Sequence, residues 1–508
     1  MSVTPETPCI VGVGQRTWHP DAVSADGAPE PLAMWEEVAR AAADDSTAGA
    51  RLLEAIDDLE VVYCQTWQYD DPVARLAERV RAQPRRRHYS GIGGTTPQIL
   101  VQDAAARILA GEVDRVLVVG AEALATRVRV KKAGERYAAS FPPSEQPPFP
   151  WEAPFHPAEL AHSLHGAYLA FALFDNARRA QRRVALGEYR RQIAEMMAPM
   201  STIAAANPSA WFRTARSVDD ILTARPDNRM VAYPYTKYMT AVMDVDMAAA
   251  VILTSHAEAD RIGVPADRRV YLRGWCDAYD PVYVAEHPDL GRSPAMEAAS
   301  AEALRSAGTG IDDIAHLDLY SCFGSSLNFA RDALGLGLDD ARPLTVTGGL
   351  PYHGGPASNY MTHSLATMVD VLRHDAGSLG LVSGVGMSMT KHVFGCYSTE
   401  PGPLRPPRRE VVTAQVGAHG VARITEAHDG PATVATYSVL HGRDGAAEWG
   451  LAVCDLSDGS RCYARFSDPD LLAVAESEEL VGRTLHLEPV PVRLRNGRDG
   501  TRNDARLA

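Results

Sequence analysis

The sequence has no long apolar run, no excess of basic residues and no paired spacing of cysteines, and each absence removes a class of function. No apolar stretch approaches the ~20 residues that a membrane-spanning helix needs. The segment Met1–Gln15 lacks a basic stretch followed by an apolar one, so no secretory signal is expected there. Lys and Arg number 50 against 64 Asp and Glu, giving a formal net charge of −14, the opposite of a nucleic-acid binder's basic footprint. Arg85, Arg86 and Arg87, and the pair Arg182 and Arg183, are local exceptions. They read as solvated faces or as contacts to the phosphates of an anionic cofactor. The seven cysteines are odd in number and show no CxxC spacing, which argues against a disulfide framework and against a zinc site. The expectation is a protein of the reducing cytoplasm, with no metal, no nucleic-acid partner and no membrane partner.

What is present is an ordinary globular composition, 46% apolar and 22% charged, in a chain of 508 residues. That length predicts about two to four domains. A long, weak internal repeat supports more than one. Ala55-Ile-Asp-Asp-Leu-Glu-Val-Val-Tyr-Cys64 resembles Gly310-Ile-Asp-Asp-Ile-Ala-His-Leu-Asp-Leu-Tyr-Ser-Cys322. Each is followed by a glycine-rich turn, Ser90–Gly94 or Gly348–Gly355, then a helix near 97–111 or 356–374, then an apolar strand, Arg115–Gly120 or Leu379–Gly384. Alternating strands and helices predict an α/β fold with a largely parallel sheet.

The segment 124–230 reads as an insertion. It holds the proline-rich loop Phe141–Pro150 and helical stretches near 159–184 and 187–206, after which Met243–Thr254 reads as a helix-to-strand run. Four prolines in Glu400–Pro407 read as a stiff linker. Beyond it, strands are expected at 410–416, 432–441, 449–456, 460–466 and 484–488, with a helix at 468–477 and a tight turn at Ser457-Asp-Gly459. Five strands and a helix suit a small barrel of the OB type over 408–492. The polar tail 493–508 is expected to be disordered.

Six stretches in order now carry a resemblance: Ile10–Gln15, Tyr89–Gln98, Asn228–Lys237, Asp318–Phe323, Gly348–Pro356 and Thr390–Ser398. They resemble the thiolase superfamily, nearest to acetyl-CoA acetyltransferase-like proteins of the sterol-carrier type that carry an additional C-terminal domain. The resemblance implies a duplicated five-layer αβαβα thiolase fold. Its N-terminal half would be 1–123 and 231–265, its helical loop domain 124–230 and its C-terminal half 266–400. It also implies an acyl-CoA ester as partner, coenzyme A only as part of the substrate, no covalently bound cofactor, and either a dimer through the sheet edge or a monomer.

A thiolase uses a cysteine at a helix N-terminus, where the dipole and the backbone N–H groups lower its pKa. Gly94 stands at that position, followed by Thr95 and Thr96, which read as N-cap residues ahead of Pro97 or, less readily, as a nucleophile beside His88. The family's Asn-Glu-Ala-Phe or His-Asp-Cys-Phe element reads Tyr320-Ser-Cys322-Phe323 here, so Tyr320 is a candidate oxyanion donor or acid, with Cys322 beside it. The histidine of Gly-His-Pro is matched by Gly355, with His353 and Gly354 just before it. Ser383 and Gly384 replace the segment of the base cysteine, and His392 is a further candidate. Arg127 and Lys131, with Arg129 and Lys132, are candidates for the substrate's phosphates or a plain solvated cluster.

Four changed positions together exclude cysteine-based thiolysis. The glycine turns remain as oxyanion pockets that can stabilise an acyl-CoA enolate. The expected chemistry is therefore of retro-aldol or Claisen type. A non-catalytic acyl-CoA carrier and a scaffold for an active enzyme stay open as alternatives.

Overall fold

The computed structural model describes residues 3–21, 27–144, 155–494 and 496–507. The first half of the chain runs β1 (Pro8–Thr17), α1 (Pro31–Asp45), β2 (Asp58–Val61), α2 (Pro72–Val80), β3 (Arg86–Tyr89), α3 (Thr96–Leu109) and β4 (Arg115–Ala123). An insertion follows, with α4 (Ala167–Gln181), α5 (Leu186–Ala206), β5 (Met230–Ala232) and β6 (Tyr235–Thr236), before β7 (Asp246–Ser255) completes that half. The second half is β8 (Val270–Tyr279), α6 (Pro294–Ala307), β9 (Ile314–Asp318), α7 (Gly324–Leu334), α8 (Tyr360–His374), β10 (Leu379–Gly386) and β11 (Lys391–Ser398). The C-terminal domain holds α9 (Arg409–Gly417), β12 (Gly430–His441), β13 (Ala447–Asp455), β14 (Arg461–Phe466), α10 (Pro469–Ser477), β15 (Thr484–Arg493) and β16 (Asp499–Leu507).

The repeat seen in the sequence is a repeat of topology. One half pairs in the order β3-β2-β4-β7-β1 and the other, mirrored, as β8-β11-β10-β9, joined where Cys9 and Ile10 of β1 meet Tyr271 and Val270 of β8. The second half has no strand answering β3. The segment that would supply it is held by side chains instead: Asp318 accepts from Thr345 Oγ1 at 2.6 Å and from the amide of Val346 at 3.0 Å. The two helices opened by the glycine turns, α3 and α8, pack against each other and against strands of both halves, with α1 and α6 on the outer faces. That is the αβαβα layering. It follows from apolar strands buried on both faces, such as β7 and β10.

Several expectations need correction. The sheet is mixed rather than largely parallel: only β3–β2, β2–β4 and β10–β9 run parallel. β7 and β11 are inserted antiparallel to both of their neighbours, and β10 turns directly into β11 through a short hairpin. No helix precedes β7 at 243. The stretch 159–184 is two helices, Pro157–Ala161 and α4, broken at 162–166. Most of the proline-rich loop, 145–150, lies outside the described residues.

The stretch 410–416 is not a strand but part of α9. Val412 alone of that helix is buried, and Val411 is 42% exposed, so β-branched composition gives way to one-sided burial. The barrel takes its fifth strand from the tail expected to be disordered. β16 pairs with β15 from Leu507↔Leu485 to Asp499↔Arg493, and backbone bonding overrides its polar composition. Five strands then close in the order β12-β13-β14-β16-β15-β12, with α10 between the third and fourth. The barrel reaches into the insertion: the amide of Tyr233 donates to the carbonyl of Val439 at 2.8 Å, which adds β5 and β6 to the barrel's sheet. Among the described residues no helix is long and apolar enough to cross a membrane.

Candidate active site

The turn Ser90–Gly94 delivers the chain to the N-terminus of α3, where Thr95 occupies the N-cap and Pro97 lies in the first turn. Thr95 is buried, yet its hydroxyl caps nothing, and the Thr96 hydroxyl reaches only the carbonyl of Gly91 at 3.5 Å. In front of this helix end lies a cavity of ≈ 540 Å³. Gly93 and Gly94, Tyr320, Cys322 and Phe323, Leu350 and Gly355, and Val385 with Met387 reach it from the two halves, and His165 to Tyr168 with Phe171 wall it from the insertion. Among the described residues no lysine, arginine, aspartate or glutamate lines it. Three larger hollows, ≈ 1110 Å³ beside the barrel, ≈ 760 Å³ beside Arg331 and ≈ 610 Å³ beside Asn207, hold none of Gly94, Tyr320, Cys322 and His353, although Arg183 lines the first.

The geometry at Gly94 is specific. A β-carbon there would lie 2.2 Å from the Tyr320 hydroxyl oxygen and 2.2 Å from the carbonyl oxygen of Val385. The tyrosine therefore fills the volume that a nucleophilic side chain at position 94 would need. Tyr320 is held at both ends. Its amide donates to Ser383 Oγ at 2.9 Å, and its ring meets Tyr360 edge-on with centroids 5.6 Å apart. Tyr360 in turn donates to Asp318 Oδ2 at 3.1 Å. Burial raises the Tyr320 phenol well above its usual range, so it is a neutral hydrogen-bond donor at physiological pH. Among the described residues its hydroxyl hydrogen-bonds to none.

Cys322 faces the same cavity, but burial pushes its thiol up to about 12 and its Sγ lies 3.6 Å from Ser326 Oγ. It is a thiol, not a thiolate. Phe323 stacks on Phe171 at 4.7 Å and closes the floor.

Of the residues singled out from sequence, the cavity gathers Gly94, Tyr320, Cys322 and Gly355. His353 does not line it. It is fully buried against Tyr360 and His363, and burial lowers it to about 4, which leaves it neutral. Gly354 packs towards Val245 and Met247, and the Gly355 amide is spent on the carbonyl of Val242 at 2.8 Å. Gly384 packs against Met361 and the Thr95 backbone. Ser383 serves the Tyr320 amide. His392 is buried behind the β10–β11 hairpin, with Nε2 3.0 Å from Asp280 Oδ2 and 2.9 Å from the carbonyl of Met389. It pins a turn in which Met387 and Met389 adopt left-handed φ of 58° and 60°.

Arg127 and Lys131 are exposed on the helix Leu124–Lys132. Arg127 donates to the carbonyl of Gln65, a cavity residue, at 2.7 Å, and Lys131 is not among the cavity's lining residues. His88 is on the edge strand β3, away from the cavity. Sequence reasoning missed His165, Tyr168 and Tyr63. The first two follow the break in the expected helix at 159–184, and the His-Gly pair at 165–166 was the available signal. Among the described residues no cluster of three His, Cys, Asp or Glu side chains could hold a metal.

Residues 411–489 match the family model described as the thiolase-like protein type 1 additional C-terminal domain. No curated protein sequence matched. Among solved structures, a monomeric SCP2-thiolase-like protein type 1 from Mycobacterium smegmatis is 34% identical, with a TM-score of 0.85 and 100% of each chain covered. The Ltp2-ChsH2(DUF35) aldolase shares the fold at 16% identity and a TM-score of 0.59, over 77% of this chain and 98% of that one. Human mitochondrial 3-ketoacyl-CoA thiolase does so at 14% and 0.55, over 78% and 100%. With 34% identity over its whole length to such a protein, the chain belongs to the SCP2-thiolase-like proteins of type 1.

Proposed function

We propose that this protein acts on acyl-CoA thioesters by carbon–carbon bond chemistry of the retro-aldol type, stabilising an enolate without forming an acyl-enzyme. The observation that carries the reading is the Tyr320 hydroxyl at the site of the missing nucleophile, facing a cavity that persists. A fold that had lost all chemistry would have no reason to keep an apolar cavity at a helix N-terminus with a neutral donor aimed into it. The thioester oxygen would accept from the Tyr320 hydroxyl, and the first amides of α3 add the positive end of a helix dipole. Arg127, linked to the cavity wall through Gln65, is the candidate contact for the phosphates of coenzyme A. The shared fold with an aldolase and with a thiolase supports this class of substrate.

The test is turnover of a 3-hydroxyacyl-CoA by the wild type and by Y320F. Removing one oxyanion donor lowers kcat by about 10²–10³-fold. Unchanged turnover in Y320F would sink the role of the hydroxyl. Saturable binding with every ester intact would favour a non-catalytic carrier, the reading that the four missing catalytic side chains support.

We also propose a monomer in solution, as the Mycobacterium smegmatis relative is described. β3 is one edge of the nine-stranded sheet, and its Arg86 is paired inward with Asp58 at 3.5 Å and Glu60 at 3.7 Å, an edge guarded by charge.

A further inference from the structure

Retro-aldol cleavage needs a base for the substrate's 3-hydroxyl, and none of the positions inherited from the family supplies one. Among the described residues, the titratable groups lining the cavity are Tyr63, Tyr168, Tyr320, Cys322 and His165. Burial raises Tyr63 and Tyr320 and pushes Cys322 up to about 12, so none of these three accepts a proton near neutrality. Tyr168 carries a phenol, whose neutral oxygen is a weak proton acceptor. Among the described residues no carboxylate and no lysine lines the cavity. An imidazole is the side chain whose proton exchange falls between about pH 5 and 8.

We infer that His165 is the general base of this site, removing the hydroxyl proton of a 3-hydroxyacyl thioester whose carbonyl oxygen is held by Tyr320. The inference rests on the retro-aldol reading and names the residue that reading lacks.

The backbone is built to present this side chain. The insertion's helix stops at Ala161, Ser163 adopts a left-handed φ of 61°, and the His165 amide turns back to the Ser163 carbonyl at 2.9 Å. Gly166 then forms the N-cap of α4, where a β-carbon would lie 2.4 Å from the Tyr168 ring. A side chain at 166 would therefore displace the Tyr168 ring from the cavity wall. The imidazole packs edge-on to Phe155 with centroids 6.3 Å apart, which limits its rotation. α4 itself is fixed. Asn176 donates to the carbonyls of Tyr233 and Tyr437 at 3.2 and 2.7 Å, and buried Asp175 accepts from Tyr189 and Tyr235 at 2.6 and 2.5 Å. The element that carries the base is thus anchored to the C-terminal barrel.

The step balances without a further reactant. The imidazole of His165 takes the proton of the 3-hydroxyl, and the C3–O bond becomes a carbonyl. The C2–C3 bond breaks, and its electron pair moves to C2 and the thioester oxygen as an enolate hydrogen-bonded to Tyr320. The imidazolium returns the proton to C2, leaving a shortened acyl-CoA and a free aldehyde or ketone.

The test compares full-length wild type, H165A and H165Q on a 3-hydroxyacyl-CoA that the wild type cleaves, after ester affinity and folding have been measured for each. The expected result is a loss of at least about 10²-fold in kcat in both variants with affinity within threefold of wild type, loss of the acidic limb of the pH–rate profile, and partial rescue of H165A by added imidazole. Variants within threefold of wild type in kcat, or with an unaltered pH profile, would overturn the assignment while leaving the retro-aldol reading intact. A wild-type protein that cleaves no such ester overturns both.

Discussion

At position 94 a β-carbon would press on the Tyr320 hydroxyl and on the Val385 carbonyl at once, each 2.2 Å away. The first neighbour is a side chain and the second is backbone of β10, so the two are separable by mutation. G94A is expected to destabilise by about 1–3 kcal/mol, as overpacking does. The double variant G94A/Y320A should cost less than the sum of the two singles, because one clash is relieved, yet G94A should stay costly because the Val385 carbonyl remains. Thermal unfolding of the four proteins measures that coupling, and full additivity would deny the contact. A second prediction concerns His353. Its folded pKa is lowered to about 4, so the unfolded chain binds the extra proton as pH falls from about 6.5 to about 4. Stability from the neutral imidazole is therefore present above pH 6.5 and lost on acidification through that window. Relative to H353N, the wild type should lose up to about 3 kcal/mol between those limits, read from denaturant midpoints. Comparison with a variant is needed because the buried carboxylates of Glu60 and Glu122, both raised to about 7, pull the opposite way.

Among the elements, the duplicated strand, glycine turn, helix and strand could be read from the sequence because each copy repeats its apolar pattern and its glycines. The Gly94 and Tyr320 positions were legible for the same reason, each lying in a motif. Their contact was not, since it joins the start of α3 to the end of β9 across the sheet. His165 was hidden because it lies in the insertion, where no motif marks it and the helical pattern runs through the break. β16 was hidden because Arg502, Asp504 and Arg506 alternate as a surface strand does, with a composition that reads as solvent. α9 was misread because Val411, Val412 and Thr413 favour a strand, while Val412 and Val416 lie four apart as on a helix face. At this scale the testable joint is Asn176. N176A removes a donor from two buried carbonyls, and about 2–3 kcal/mol of stability should go with it. Faster proteolysis around 155–166 than in wild type would show that the barrel steadies the cavity wall. Equal rates would show that it does not.

On the scale of the whole molecule, the fold retains the αβαβα thiolase body, fills the nucleophile's space with a phenol, and adds a barrel that shares strands with the insertion above the cavity. The charged edge at β3 should keep the chain monomeric in light scattering at micromolar concentration, and a stable dimer would contradict that reading of Arg86, Asp58 and Glu60. The central claim is carbon–carbon bond cleavage without a covalent intermediate. The most direct measurement incubates the wild-type protein with a 3-hydroxyacyl-CoA and follows both small molecules and intact protein by mass spectrometry in one tube. A shortened acyl-CoA and a carbonyl product in equal amounts, with the protein's mass unchanged throughout, is the expected result. A protein that gains the mass of an acyl group, or an ester left whole by a protein that binds it, would contradict the account.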